Sequence, residues 1–162
     1  MRNGTLGFVI GLILGGVLAA LSIMNSLPGM MLVSDESAFG FDSTVAVIEE
    51  RATAAGWKLP KRYRLDQTLA QEGHQVLPVA VIELCKPEYA AAILQDDGSR
   101  AASALMPCRL AVYETAAGGV RVARMNGEAM SRLFSGVMKD AMGKAAADSE
   151  TLLAGILREE QR

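Results

Sequence analysis

Histidine and cysteine are scarce in this chain, and their scarcity excludes several kinds of chemistry. Among 162 residues there is one histidine, His74, and there are two cysteines, Cys85 and Cys108. A single histidine rules out a His-x-x-x-His zinc site. No Cys-x-x-Cys occurs, which removes a thioredoxin-type centre. There is no Gly-x-Ser-x-Gly nucleophile elbow, and Gly118-Gly119 lacks the following Lys-Ser/Thr that a phosphate-cradling loop needs. Aromatics are only 5% of the residues, too few for a base-stacking platform. The net charge is −2 with both signs scattered, so the basic stripe of a nucleic-acid binder is missing. No internal repeat and no low-complexity tract is present.

The prominent feature is apolar. Residues 6–24 carry no charged side chain and, before Ser22, no polar one. At helical rise they span roughly 28 Å, close to the hydrocarbon thickness of a bilayer. Leu27-Pro28-Gly29 ends the run, because proline disfavours helix at the residue before it. Arg2 and the α-amino group flank one end, whereas Asp35 and Glu36 follow the other and no basic residue comes before Arg51. That asymmetry predicts a single-pass helix with its N-terminus in the cytoplasm. Residues 1–28 then form an inner-membrane anchor, and residues 29–162 form a domain on the periplasmic side. A cleaved signal segment is the competing reading, with a cleavage site near Leu18-Ala19-Ala20; it delivers the domain to the same compartment. Gly7, Gly11, Gly15 and Ala19 recur every fourth residue, a small-residue stripe that suits close packing against another helix. The partners implied are lipid and a second transmembrane helix, either another copy or a membrane protein.

Beyond residue 29 the pattern alternates between strand and helix. Residues 30–34 read as a first strand, and Asp42 and Ser43 as caps of a helix whose apolar face is Val45, Ile48 and Ala52. Gly56 suits the turn that ends it. Residues 57–65, interrupted by Pro60, read as an edge strand, and residues 65–73 as a short helix. Residues 76–85, with Val79, Val81 and Ile82 at their centre, read as a central strand, and Pro87 as the first residue of a helix to Leu94. A turn at Asp96-Asp97-Gly98 and a short helical stretch to Leu105 come next. Residues 108–114 and 120–125 form a hairpin across Gly118-Gly119. Residues 126–157 read as helical, broken near Asp148, with Met130, Leu133, Phe134, Val137, Met138 and Met142 laid over a sheet. The fold expected is α+β, a mixed or antiparallel sheet covered by helices.

Three segments together resemble one family. They are Glu83-Leu84-Cys85-Lys86-Pro87 with Tyr89-Ala90, then Met106-Pro107-Cys108-Arg109, then Ala111-Val112-Tyr113-Glu114. Ala55-Gly56-Trp57 and Met125-Asn126 fit the same pattern. Over residues 30–157 the chain resembles the domain of unknown function family 302. The resemblance implies a compact α+β fold that pairs as a homodimer, and it implies no activity. Lys86 departs from the asparagine that precedes the proline in many members.

Candidate chemistry is confined to a few side chains. Cys85 and Cys108 each lie within two residues of a proline at the ends of strands expected to be neighbours. In an oxidising compartment they could close a disulfide, which the chain-entropy model values at roughly 3 kcal/mol. They could instead be two free thiols. A third reading is a metal or redox site, in which Met106, with Met125 nearby, adds soft sulfur for copper and His74 supplies an imidazole or a haem ligand. Glu83, Arg109 and Tyr113 are candidates for a small-ligand pocket, with an Arg109–Glu83 ion pair as the plainer reading. Non-enzymatic function is favoured: an extracytoplasmic accessory or interaction domain, a subunit or partner of a membrane complex.

Overall fold

The structure, a computed structural model, describes residues 11–18, 20–22 and 30–158. The chain divides after Met31 into two units. In the first, residues 11–18 and 20–22 are helical. Gly11, Gly15 and Gly16 each have open space where a side chain would stand. Gly7 and Ala19 of the small-residue stripe lie outside the described residues, as do residues 6–10, 23 and 24 of the apolar run. Among the described residues no helix is long and apolar enough to cross a membrane. The membrane span therefore rests on the sequence alone.

In the second unit five strands form one antiparallel sheet. They are β1 (Leu32–Glu36), β2 (Arg62–Arg64), β3 (Val79–Leu84), β4 (Cys108–Glu114) and β5 (Val120–Met125), in the order β1-β5-β4-β3-β2. Every pairing is antiparallel, so the sheet is not mixed. Period-two alternation sorts the side chains onto two faces. Ala80, Ile82, Leu84, Leu110, Val112, Val120 and Val122 are buried on one of them. Two helices supply the matching apolar stripes. α1 (Phe41–Ala54) buries Phe41, Val45, Ile48 and Ala52, and the C-terminal helix with its following turn buries Leu152, Leu153 and Ile156. Each valine, leucine, isoleucine or phenylalanine so withdrawn from water contributes about 1.5–3 kcal/mol.

The C-terminal helix is α5 (Gly136–Leu153), and shorter elements complete the layer: α2 (Leu65–Gln71), α3 (Pro87–Gln95), a 3₁₀ turn (Arg100–Leu105) and α4 (Gly127–Ser131). Pro87 opens α3, and Gly56 takes the left-handed turn after α1, as expected. A second, smaller apolar cluster forms where Ile93, Ala102 and Ala141 meet, with Tyr89, Met106 and Met138 against it.

Three expectations need correction. β1 begins at Leu32 and runs to Glu36 rather than over residues 30–34. Gly40 is the N-cap of α1, so Asp42 lies in the first turn, where its charge opposes the positive helix end instead of capping it. The C-terminal helical region breaks between Ser131 and Gly136, not at Asp148, and Gly136 there has φ +58. Leu133 falls in that break and is 73% exposed, so it does not belong to the apolar face.

Candidate functional site

The opposite face of the sheet presents Ser34, Tyr63, Val79, Val81, Glu83, Arg109, Ala111, Tyr113, Arg121 and Ala123. Of these only Glu83 is buried, which leaves the face open to solvent. Glu83 stands opposite Arg109 across β3 and β4. Arg109 Nη2 donates to Glu83 Oε1 at 3.3 Å, and Tyr63 Oη donates to the same oxygen at 3.1 Å. Burial first, and then the hydrogen bond to Glu83, push the Tyr63 phenol above its ordinary value. Tyr63 thus stays neutral and serves as a donor. The ion pair expected between Glu83 and Arg109 is present.

Tyr113 does not join them. Its hydroxyl lies 2.9 Å from Ser34 Oγ, and the Arg121 guanidinium bonds both the hydroxyl and the carbonyl of Ser34. The pocket candidates therefore divide into two polar clusters on one open face. An open depression lies elsewhere, between residues 36–40 and residues 117–120, and is walled by Arg158. Neither Glu83 nor Arg109 lines it.

Chemistry-bearing residues also gather where β3 runs into α3. Lys86 Nζ donates to Asp148 Oδ2 at 2.7 Å, and Tyr89 Oη donates to the same oxygen at 2.9 Å. The Lys86 ammonium lies 5.6 Å from the Trp57 ring centroid and 5.5 Å from that of Tyr89. The Lys86 hydrogen bond, ahead of burial acting the other way, holds the Asp148 carboxyl below the usual aspartate range. The Lys86 ammonium is held above its ordinary value by the same bond. Lys86 is therefore a fixed cation and not a nucleophilic amine. Trp57 is 3% exposed and its Nε1 is buried without a hydrogen-bond partner.

The cysteines lie beside this cluster, and the disulfide expectation is corrected: both thiols are free. Register gives the reason. Cys108 pairs with Leu84, so Cys85, one place further along, is out of phase with it and its side chain leaves the opposite face. Cys85 instead pairs with Lys58 in an isolated bridge. Although Cys108 as a residue is exposed, desolvation around its sulfur pushes the thiol up, and the neighbouring Cys85 adds to the rise. Such a thiol is a poor nucleophile at neutral pH. Met106 packs into the smaller apolar cluster, and His74 is exposed in the loop after α2. Among the described residues no three of His, Cys, Asp or Glu are grouped to hold a metal ion.

A sequence model of the family described as Domain of unknown function DUF302 matches residues 33–159. The chain belongs to that family. A solved DUF302 structure, described as an uncharacterized conserved protein from Bacillus stearothermophilus, is similar with a TM-score of 0.69 at 18% identity. The match covers 78% of this chain and 98% of that one, so the two share the DUF302 fold. No curated protein matches the chain.

Sequence reasoning missed the two partners that organise the sites. Tyr63 carries no motif, and in the sequence Asp148 marks only a break in the C-terminal helix. The residues that carry the DUF302 resemblance, Glu83 to Pro87 and Cys108-Arg109, do come together at one end of the sheet.

Proposed function

We propose that the chain is a non-enzymatic accessory module held at a membrane by residues 6–24, with its domain on the periplasmic side. Its open sheet face docks a partner subunit or a second copy. The observation that carries this reading is that face: a five-stranded sheet packed by helices on one side, with Val79, Val81, Ala111 and Ala123 half-buried on the other. Its charged groups are ordered by one another, Glu83 by Arg109 and Tyr63, and Arg121 by Ser34. A surface of ordered polar groups around small apolar ones suits protein docking better than turnover. The small residues Gly11 and Gly15 support a further contact, between helices.

The test is co-purification of the full chain in mild detergent, beside an Ala111→Arg variant. Ala111 is central on the open face, so a large cation there blocks docking without entering the core. The expected result is a defined stoichiometric partner, or a second copy, that the variant loses. A wild-type chain that runs alone overturns the reading.

A further inference from the structure

One row of the open face lies at the end of the sheet where the chain enters the domain. Leu32 pairs with Met125, and Arg109 with Glu83. The Leu110–Arg124 pair sets Arg109 beside Met125, and the Glu83 N–H donates to the Lys61 carbonyl at 2.9 Å. The row across β1, β5, β4, β3 and the start of β2 therefore reads Leu32, Met125, Arg109, Glu83, Lys61.

Its two halves differ. Leu32 is 63% exposed and Met125 39%, an apolar pair facing water. Arg109 and Lys61 are exposed cations, and Lys58 is exposed at the same end, where it bridges Cys85. The one acid of the row, Glu83, is buried and already taken by Arg109 and Tyr63. Neither Lys58 nor Lys61 has an ion-pair partner among the described residues; Lys61 only overhangs the Tyr63 ring at 4.8 Å. The row thus combines exposed apolar side chains with unneutralised positive charge.

Tether length decides what such a row meets. Residues 25–31 separate the apolar run from β1, and seven residues reach at most about 25 Å even when fully extended. Given the membrane anchor proposed above, on which this inference rests, Leu32 cannot leave the neighbourhood of the bilayer. We infer that this row is the domain's seat on an anionic lipid surface. Leu32 and Met125 enter the boundary between headgroups and acyl chains. Lys58, Lys61 and Arg109 lie against lipid phosphates, Arg109 through the N–H groups that Glu83 does not occupy. The rest of the open face stays available to a protein.

The test uses the full chain in lipid nanodiscs of phosphatidylcholine alone, or with phosphatidylglycerol added. A water-soluble amine reagent is applied and each lysine is followed by mass spectrometry. In the anionic discs labelling of Lys58 and Lys61 slows about fivefold, the effect of one cation held at a charged surface. Lys144, on α5, labels alike in both. A chain that enters the discs but labels Lys58 and Lys61 equally in the two lipids overturns the seat and leaves the anchor standing. Slowing that is the same in both lipids and vanishes at one chain per disc assigns the row to a second copy, and it too overturns the seat. A chain that stays out of the discs overturns the anchor and the seat together.

Discussion

Arg124 and Glu150 form a two-pronged ion pair, with Arg124 Nε and Nη2 donating to the two carboxylate oxygens at 2.6 and 2.7 Å. Arg124 is 8% exposed on the helix-covered face of β5, and its Nη1 reaches Asp35 on β1 at 2.7 Å. One buried cation thus joins two neighbouring strands to α5. Truncating it leaves the partly buried Asp35 without its counter-charge. Arg124→Ala is expected to cost about 1.5–3 kcal/mol in urea unfolding, the range for lost hydrogen bonds to charged groups. Glu150, 57% exposed, loses little by comparison, and Glu150→Ala is expected to cost at most about 1 kcal/mol.

Gly127 opens α4 where α4 crosses α5. A Cβ at this position would stand 2.6 Å from the Ala146 Cβ, closer than packed carbons allow. Gly127→Ala is expected to destabilise the domain by about 1–3 kcal/mol through overpacking. Adding Ala146→Gly removes the collision at the expense of about 1 kcal/mol of helix propensity, so the double variant recovers part of the loss. Equal stability of the single variant and the wild type would contradict the close approach.

Acid sensitivity follows from Asp148. Its carboxyl is held low, first by the Lys86 hydrogen bond and then by Tyr89, so its folded value lies below its unfolded one. The stabilisation is therefore complete above the ordinary aspartate range and is lost as pH falls through the depressed folded value. Asp66, held low first by its hydrogen bond from Arg64, behaves alike. The urea midpoint of the wild type is expected to fall as pH drops below 4, roughly the ordinary aspartate value. Asp148→Asn removes one share of that fall and leaves the share from Asp66. A variant with an unchanged pH profile would contradict the assignment.

Alkylation without reductant should modify both cysteines, because Cys85 and Cys108 are out of phase and free. Cys108 is expected to react more slowly at neutral pH than a solvated thiol, and its rate should keep rising beyond the pH at which an ordinary cysteine levels off. This follows from a thiol pushed up by desolvation. A closed Cys85–Cys108 bridge in the native chain would contradict the register.

Local signals made much of the fold readable. Val45, Ile48 and Ala52 recur at helical spacing and are buried on α1; Pro87 opens α3; Gly118-Gly119 marks the hairpin. What escaped depends on distant pairing or on solvent. Leu133 and Phe134 continue the apolar pattern of their neighbours, so nothing local marks the break at Gly136. Asp148 meets Lys86 and Tyr89 across about sixty residues of chain, and Tyr63 meets Glu83 across twenty. Such contacts become legible only once the register is known. The cysteines show the reverse: the sequence marks their strands as neighbours but not the one-residue offset that separates the thiols.

The most direct test of the docking face is the mass of the full chain carried out of the membrane in native lipid particles, measured beside Ala111→Arg. The account predicts a wild-type assembly heavier than the 17.2 kDa single chain, reduced to one chain by the variant. A wild-type chain at 17.2 kDa, or an assembly that Ala111→Arg leaves intact, would contradict it.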